Sequence, residues 1–315
     1  MKKTKYFNHY NPEIHRGCLP IRVLDRNLLH ELHTFDPGLL EEIKYECEQH
    51  GLNKLIKMNI DREPIEEIAL INHEKQIELF QNYNQFLWSL CYSLIVLFDE
   101  GLQKPMLKGK YTGYLDTRNP LVKKAIDVFR AGMSLFTNFS IDIFYNLPNP
   151  EKYTIKDKFY IEKANGAYIS AMNFILIHEI GHQYYGHLNA VISNNPKKYE
   201  LDADDYAFKK FANHFRSQKR TTIRLAIITA MSSLIFTDNT LKGGITHPDP
   251  DDRLKTLIEQ MHLSPKNHLW GIASLAYRLW MIHYNISIKL PKDLSTFKKL
   301  FYVIMDKLID YKTSS

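Results

Sequence analysis

The sequence predicts a mainly α-helical fold carrying a small β-sheet, and three observations carry that reading. Apolar residues recur at three- and four-residue spacing through most of the chain. Asp36-Pro37, Asn119-Pro120 and Asp249-Pro250 pair a capping side chain with proline at a first helical position. Alternation with a period of two is clear in one stretch, 139–145, near the middle of the chain. The 315 residues are 44% apolar and 24% charged, with 17 Phe and 19 Tyr, which supports a filled core and excludes disorder, collagen and coiled-coil arrays.

Residues 1–30 lack clear periodicity. A helix opens at Asp36 as N-cap and Pro37, carries Leu39, Leu40, Ile43 and Cys47 on one face, and stops before Gly51. A second helix is expected from Glu74 to Glu100, because Leu79, Phe80, Tyr83, Phe86, Leu87, Leu90 and Leu94 keep helical spacing. Residues 101–118, with their Gly, Pro and Tyr, read as loop with a short strand. Asn119-Pro120 opens a third helix to Gly132. Phe139, Ile141, Ile143 and Tyr145 alternate with polar residues and predict a strand ended by Pro148 and Pro150. Phe159–Glu162 reads as a further short strand. Helices are expected from Ala164 to His187 and over 197–216, 221–237, 249–262, 266–284 and 292–311.

Charge and cysteine usage narrow the function classes. The net charge is +6, but no run of five Lys or Arg occurs and acids interleave throughout, which argues against dedicated nucleic-acid binding. Cys18, Cys47 and Cys91 are odd in number and far apart, without a CxxC, which argues against a disulfide framework or a cysteine zinc knuckle. No apolar segment follows the basic start, so no signal peptide is read. Leu90–Phe98 and Leu225–Phe236 are too short for a transmembrane helix of roughly 20 residues. These features point to a cytoplasmic protein without a membrane span. No GxxxxGK[ST] or GxGxxG supports a phosphate-cradling loop.

The chemistry concentrates in His178-Glu179-Ile180-Gly181-His182. On a helix the two histidines stand one turn apart on one face, so both imidazoles reach one ion, and Glu179 lies beside that face within reach of a water rather than of the metal. A catalytic zinc needs a third protein ligand and an open position. Glu200, 18 residues after His182, leaves room for a turn into an antiparallel helix and is the candidate. Asp204, one turn on, would face the Nδ1–H of a ligand histidine and fix its tautomer. Thr246-His247-Pro248 precedes another helix start; His247 is a candidate donor to an oxyanion, and Arg253 would pair with a buried carboxylate. Read as structure alone, His247 is a capping histidine and the 200–205 acids are a solvated face. His9, His15, His30, His33, His50 and His73 read as surface or core-edge histidines, and Asp249 and Asp251 near His247 lack the spacing of a separate metal site.

The segments HEIGHQYYGH, ELDADDYA and THPDPDDRL together resemble the gluzincin peptidases of the HtpX and CAAX-prenyl-protease type over roughly residues 164–257. The resemblance implies a zincin-like core in which His178, His182 and Glu200 hold Zn²⁺, Glu179 is the general base, Asp204 backs a ligand, and His187 holds the position five past the second ligand histidine. The chain departs from that group: it has no transmembrane helices, no Asn-Ala-Phe with a glycine-rich hairpin before the metal helix, and an added N-terminal third. Its size and arrangement also resemble the Lit-type phage-exclusion peptidases, which cut a host translation factor. The expected protein is a zinc-dependent endopeptidase acting on a protein substrate, with residues 1–130 for substrate or partner recognition, 131–262 as the metallopeptidase core and 263–315 as helices packed on it. The strand at Phe139–Tyr145 would take substrate by strand addition. An activating partner or a narrow cleft would restrain it. The competing readings are a catalytically silent zinc-binding interaction or regulatory protein, against which the intact Glu179 counts, and a soluble repressor-cleaving peptidase, which does not account for Thr246-His247-Pro248.

Overall fold

The computed structural model describes residues 11, 13, 15–35, 37–50, 56–60, 62–72, 74–187, 195–216, 220–237, 240–287 and 295–314. After a 3-10 turn at Pro20–Leu24 come α1 (Asp25–Phe35), α2 (Pro37–His50), β1 (Lys57–Asn59), β2 (Ala69–Ile71), β3 (Ile77–Phe80) and α3 (Gln81–Val96). α3 runs into a π-helical stretch, Leu97–Gln103, followed by α4 (Lys104–Leu107), α5 (Pro120–Ser134), α6 (Asp142–Tyr145) and α7 (Lys158–Tyr184). The chain continues through α8 (Pro196–Ala212), α9 (Arg220–Leu234), α10 (Pro250–Gln260), α11 (His268–His283) and α12 (Phe297–Ser314). The fold is mainly helical with one small mixed sheet. Among the described residues no helix is long and apolar enough to cross a membrane.

The 27-residue α7 is the axis of the molecule, packing against α1, α2, α3, α8 and α9. Its run Ala171–Ile177 is buried throughout, so the helix has no solvent face just before His178. α3 lies beside it, with Trp88 donating from Nε1 to Asn165 Oδ1 at 2.8 Å, and Tyr83 meets Ser233 of α9 at 2.6 Å. Buried apolar residues from Leu19 to Leu308 form one connected core.

Several elements differ from the expectations. Residues 139–145 form no strand: backbone hydrogen bonds from Phe144 to Ile141 and from Leu147 to Phe144 close local turns. Phe144 is buried while Ile143 and Tyr145 face outward, which fits one helical turn, and Asn149 Nδ2 donates to the carbonyls of Phe144 and Leu147. Phe159–Glu162 is the first turn of α7, burying Tyr160 and Ile161, not a strand. The helix expected from Glu74 begins at Gln81, because a turn at Asn72–Gln76 leads into β3. The sheet therefore sits in the first third of the chain. Its order is β1-β3-β2, with β1 parallel and β2 antiparallel to β3 (Ala69 opposite Leu79, Ile71 opposite Ile77), so β2 is an edge. α1 lies where no periodicity was legible. The Asn119 cap is observed, its side chain accepting from Leu121 N at 3.0 Å. The Asp36 cap, His9 and His73 lie outside the described residues, as do the side chains of His33, Leu39, Leu40, Ile43, Cys47 and His50.

Candidate metal centre

The site is built where α7 and α8 run side by side. Gly181, inside the HExxH segment, allows the approach: a Cβ there would stand 3.2 Å from Ala203 Cα and 3.1 Å from the Tyr206 ring. With the helices this close, Glu200 on α8 faces both histidines of α7. His178 Nε2 and His182 Nε2 lie 3.1 Å apart, Glu200 Oε2 is 3.5 Å from the first and Glu200 Oε1 is 3.4 Å from the second. A tetrahedral ion with bonds near 2.1 Å has donor–donor edges of about 3.4 Å. The two imidazole nitrogens and the two oxygens of the Glu200 carboxylate thus lie at separations that suit a small tetrahedral ion such as zinc.

The groups behind the donors complete the arrangement. Asp204 Oδ1 lies 3.0 Å from His178 Nδ1, and Arg253 grips the same carboxylate through Nε (2.7 Å) and Nη2 (2.8 Å). Arg253 Nη2 also reaches Glu200 Oε2 at 3.3 Å. His182 turns its Nδ1 toward His187 Nδ1 at 3.0 Å, and the His187 ring stacks on Tyr199 at 4.0 Å. His182 is therefore held from its far nitrogen by a hydrogen bond, and the Asp204 carboxylate stands behind the far nitrogen of His178, each leaving Nε2 toward the shared point.

Electrostatics keep both acids of the site ionised. Burial opposes charge on His178, yet hydrogen bonds and charges from Asp204 and Glu200 outweigh it and lift its pKa to about 10. Burial, together with the His178 charge, pushes His182 down to about 3. Burial would raise the carboxyls of Glu200 and Asp204, but the neighbouring His178 and Arg253 hold Glu200 at about 2 and Asp204 well below the carboxylate range. The metal-free chain thus sets two positive charges, on His178 and Arg253, against the two anionic acids. The donor set of two neutral-capable imidazoles and one ionised carboxylate suits zinc.

Glu179 lines the same cleft of about 560 Å³, and burial lifts its pKa to about 7. Glu66, Glu67 and the residues of β2 line the same cleft. His247 stands on the cleft's other lip, its exposed ring 3.7 Å from Glu200 Oε1 and bonded through Nδ1 to Thr246 Oγ1 at 2.9 Å. The loop carrying it is tight: a Cβ on Gly243 would meet the His247 carbonyl at 2.2 Å. Asp249 accepts from Gly243 N at 2.8 Å, and Lys312 of α12 binds Asp249 (2.7 Å) and Asp251 (2.9 Å). The acidic group at 249–252 is thus served by a lysine ammonium.

The structure brings His178, Glu179, His182, Glu200, Asp204, His187 and Arg253 together, with His247 at the edge. Sequence reasoning missed β2 with Glu66 and Glu67, three-residue strands being too short to show a period, and Lys312, which lies 61 residues from Asp251. A family model described as Peptidase U49 matches residues 77–273, which takes in His178, Glu179, His182, His187, Glu200, Asp204, His247 and Arg253. Nothing among the curated proteins or the solved structures matches the chain.

Proposed function

This chain belongs to the Peptidase U49 family and is a peptide-bond hydrolase; we propose that it is a zinc-dependent endopeptidase working at the α7–α8 site. The family match also agrees with the resemblance to the Lit-type peptidases. The observation that carries the zinc reading is the spacing of three donors, 3.1–3.5 Å apart, from His178, His182 and Glu200. These three would hold the ion, which when bound supplies Lewis acidity, acidifying water and polarising a carbonyl.

The remaining steps belong to side chains of this protein. Glu179, with a pKa near 7, is poised to take a proton from the attacking water and hand it to the leaving amine. Asp204 and Arg253 keep His178 in one tautomer, so that Nε2 presents its lone pair. His247 donates from Nε2 to the oxygen on which negative charge gathers. The edge strand β2, lining the cleft, takes the extended substrate by strand addition in place of residues 139–145, which form no strand. Cytoplasmic action on a protein substrate, in phage exclusion, is the setting proposed from the Lit-type resemblance.

The test is Glu179→Gln. It removes the proton acceptor and leaves all three ligands, so zinc content stays stoichiometric while peptide hydrolysis falls by about 10²–10⁴-fold. Zinc by elemental analysis and new protein termini in cells expressing either form give the two readouts. Cleavage by Glu179→Gln at the parent rate would remove the mechanism.

A further inference from the structure

A second cavity, of about 790 Å³, lies between α5 and α11 and the loop around Gly113–Thr117, and shares no lining residue with the cleft. Cavities of roughly 300–1,000 Å³ accommodate small organic ligands. Arg278 of α11 lines it while 7% exposed. Its Nη1 donates to the Tyr111 hydroxyl and its Nη2 to the Gly113 carbonyl, both at 3.0 Å. Both acceptors are neutral. Among the described residues no carboxylate forms an ion pair with Arg278, and burial lowers its pKa against that lack. Two of the five N–H groups of the guanidinium are engaged, which leaves three.

A buried cation without a counter-ion calls for an anion. Lys123 and Arg130 of α5 line the same cavity, both exposed, against the single carboxylate of Asp127. Three cations to one acid leaves two positive charges in excess, which a dianion matches and a monocarboxylate does not. Ile126, Met281 and Ile282 add apolar wall, and Tyr114 adds an aromatic ring. We propose that this cavity binds a phosphorylated small molecule with an apolar or aromatic body, its phosphate paired with the fork of Arg278 and its charge completed by Lys123 and Arg130.

The full-length protein is titrated calorimetrically with phenyl phosphate, AMP, inorganic phosphate and hexanoate, with melting temperature as a second readout. Phenyl phosphate or AMP is expected to bind saturably, at least about tenfold tighter than inorganic phosphate or hexanoate, and to raise the melting temperature. Arg278→Met weakens that binding about tenfold or more. Because a buried substitution can harm folding, Lys123→Glu with Arg130→Glu, both on exposed side chains, provides a parallel test with the same expected loss. Absence of saturable binding by both phosphate esters, hexanoate binding as tightly as they do, or unchanged affinity in the folded variants would each overturn the assignment.

Discussion

Two arginines, each more than nine-tenths buried, stand in opposite electrostatic situations. Arg253 on α10 meets Asp204 through two hydrogen bonds and Glu200 through a third contact, and those acids in turn hold the histidines. Arg278 on α11 meets a phenol and a carbonyl. The difference teaches how to read a buried charge. Where the partners are all present, the charge is part of a frame that positions something else; where they are missing, it marks a place for a ligand. The contrast is one of net charge, since both guanidinium groups are hydrogen-bonded.

The sharpest way to break the contrast is Arg253→Met. It takes the guanidinium from a buried carboxylate that then faces His178 alone, and removing one partner of a buried pair costs about 3–5 kcal/mol. Urea unfolding of the metal-free protein would show it as a lower midpoint at unchanged slope; a loss under about 1 kcal/mol would mean the pair is not the frame. Asp204→Asn comes next. It keeps the shape and removes the charge behind His178, so zinc affinity falls by about 10–100-fold in a chelator competition. The same variant has a pH signature. Asp204 and Glu200 have pKa values depressed below those of the unfolded chain, so the stability they confer is present above about pH 4 and is lost as pH falls below it. The acid limb of metal-free stability, measured from pH 5 to 2, should be shallower in Asp204→Asn. The smallest effect is expected of Arg278→Met without ligand. Two neutral hydrogen bonds worth about 1 kcal/mol each are lost, while the desolvation of an uncompensated charge is relieved, so stability changes by about 1 kcal/mol or less or rises. A large loss would put Arg278 in the same class as Arg253.

How much of this was legible beforehand depended on the reach of each interaction. His178, Glu179 and His182 are read from one helical turn, and Glu200 with Asp204 from the next helix, because i,i+4 spacing is a local property. The helices after residue 164 were legible for the same reason, their apolar stripes being long. The sheet was misplaced. The period-two alternation of Phe139–Tyr145 had no partner strand to pair with, and turns closed by its own backbone won, whereas β1 and β2 are three residues each and carry too few side chains for any pattern. Leu79 and Phe80 fitted the helical spacing of α3, yet the turn at Asn72–Gln76 made them strand. The Arg253 pairing was foreseen in kind but not its partner, and neither Lys312 nor the solitary charge of Arg278 leaves any local trace.

Gly181 has one more effect. With no side chain to hold α8 away, it fixes the width of the seam between two helices, and that width sets the span from imidazole to carboxylate. Two imidazoles and one carboxylate at this spacing would suit a compact first-row dication, and they are too poor in oxygen for the six-to-eight-fold cage that calcium demands. The smallest residue in the motif is thereby the one on which the reach from imidazole to carboxylate depends.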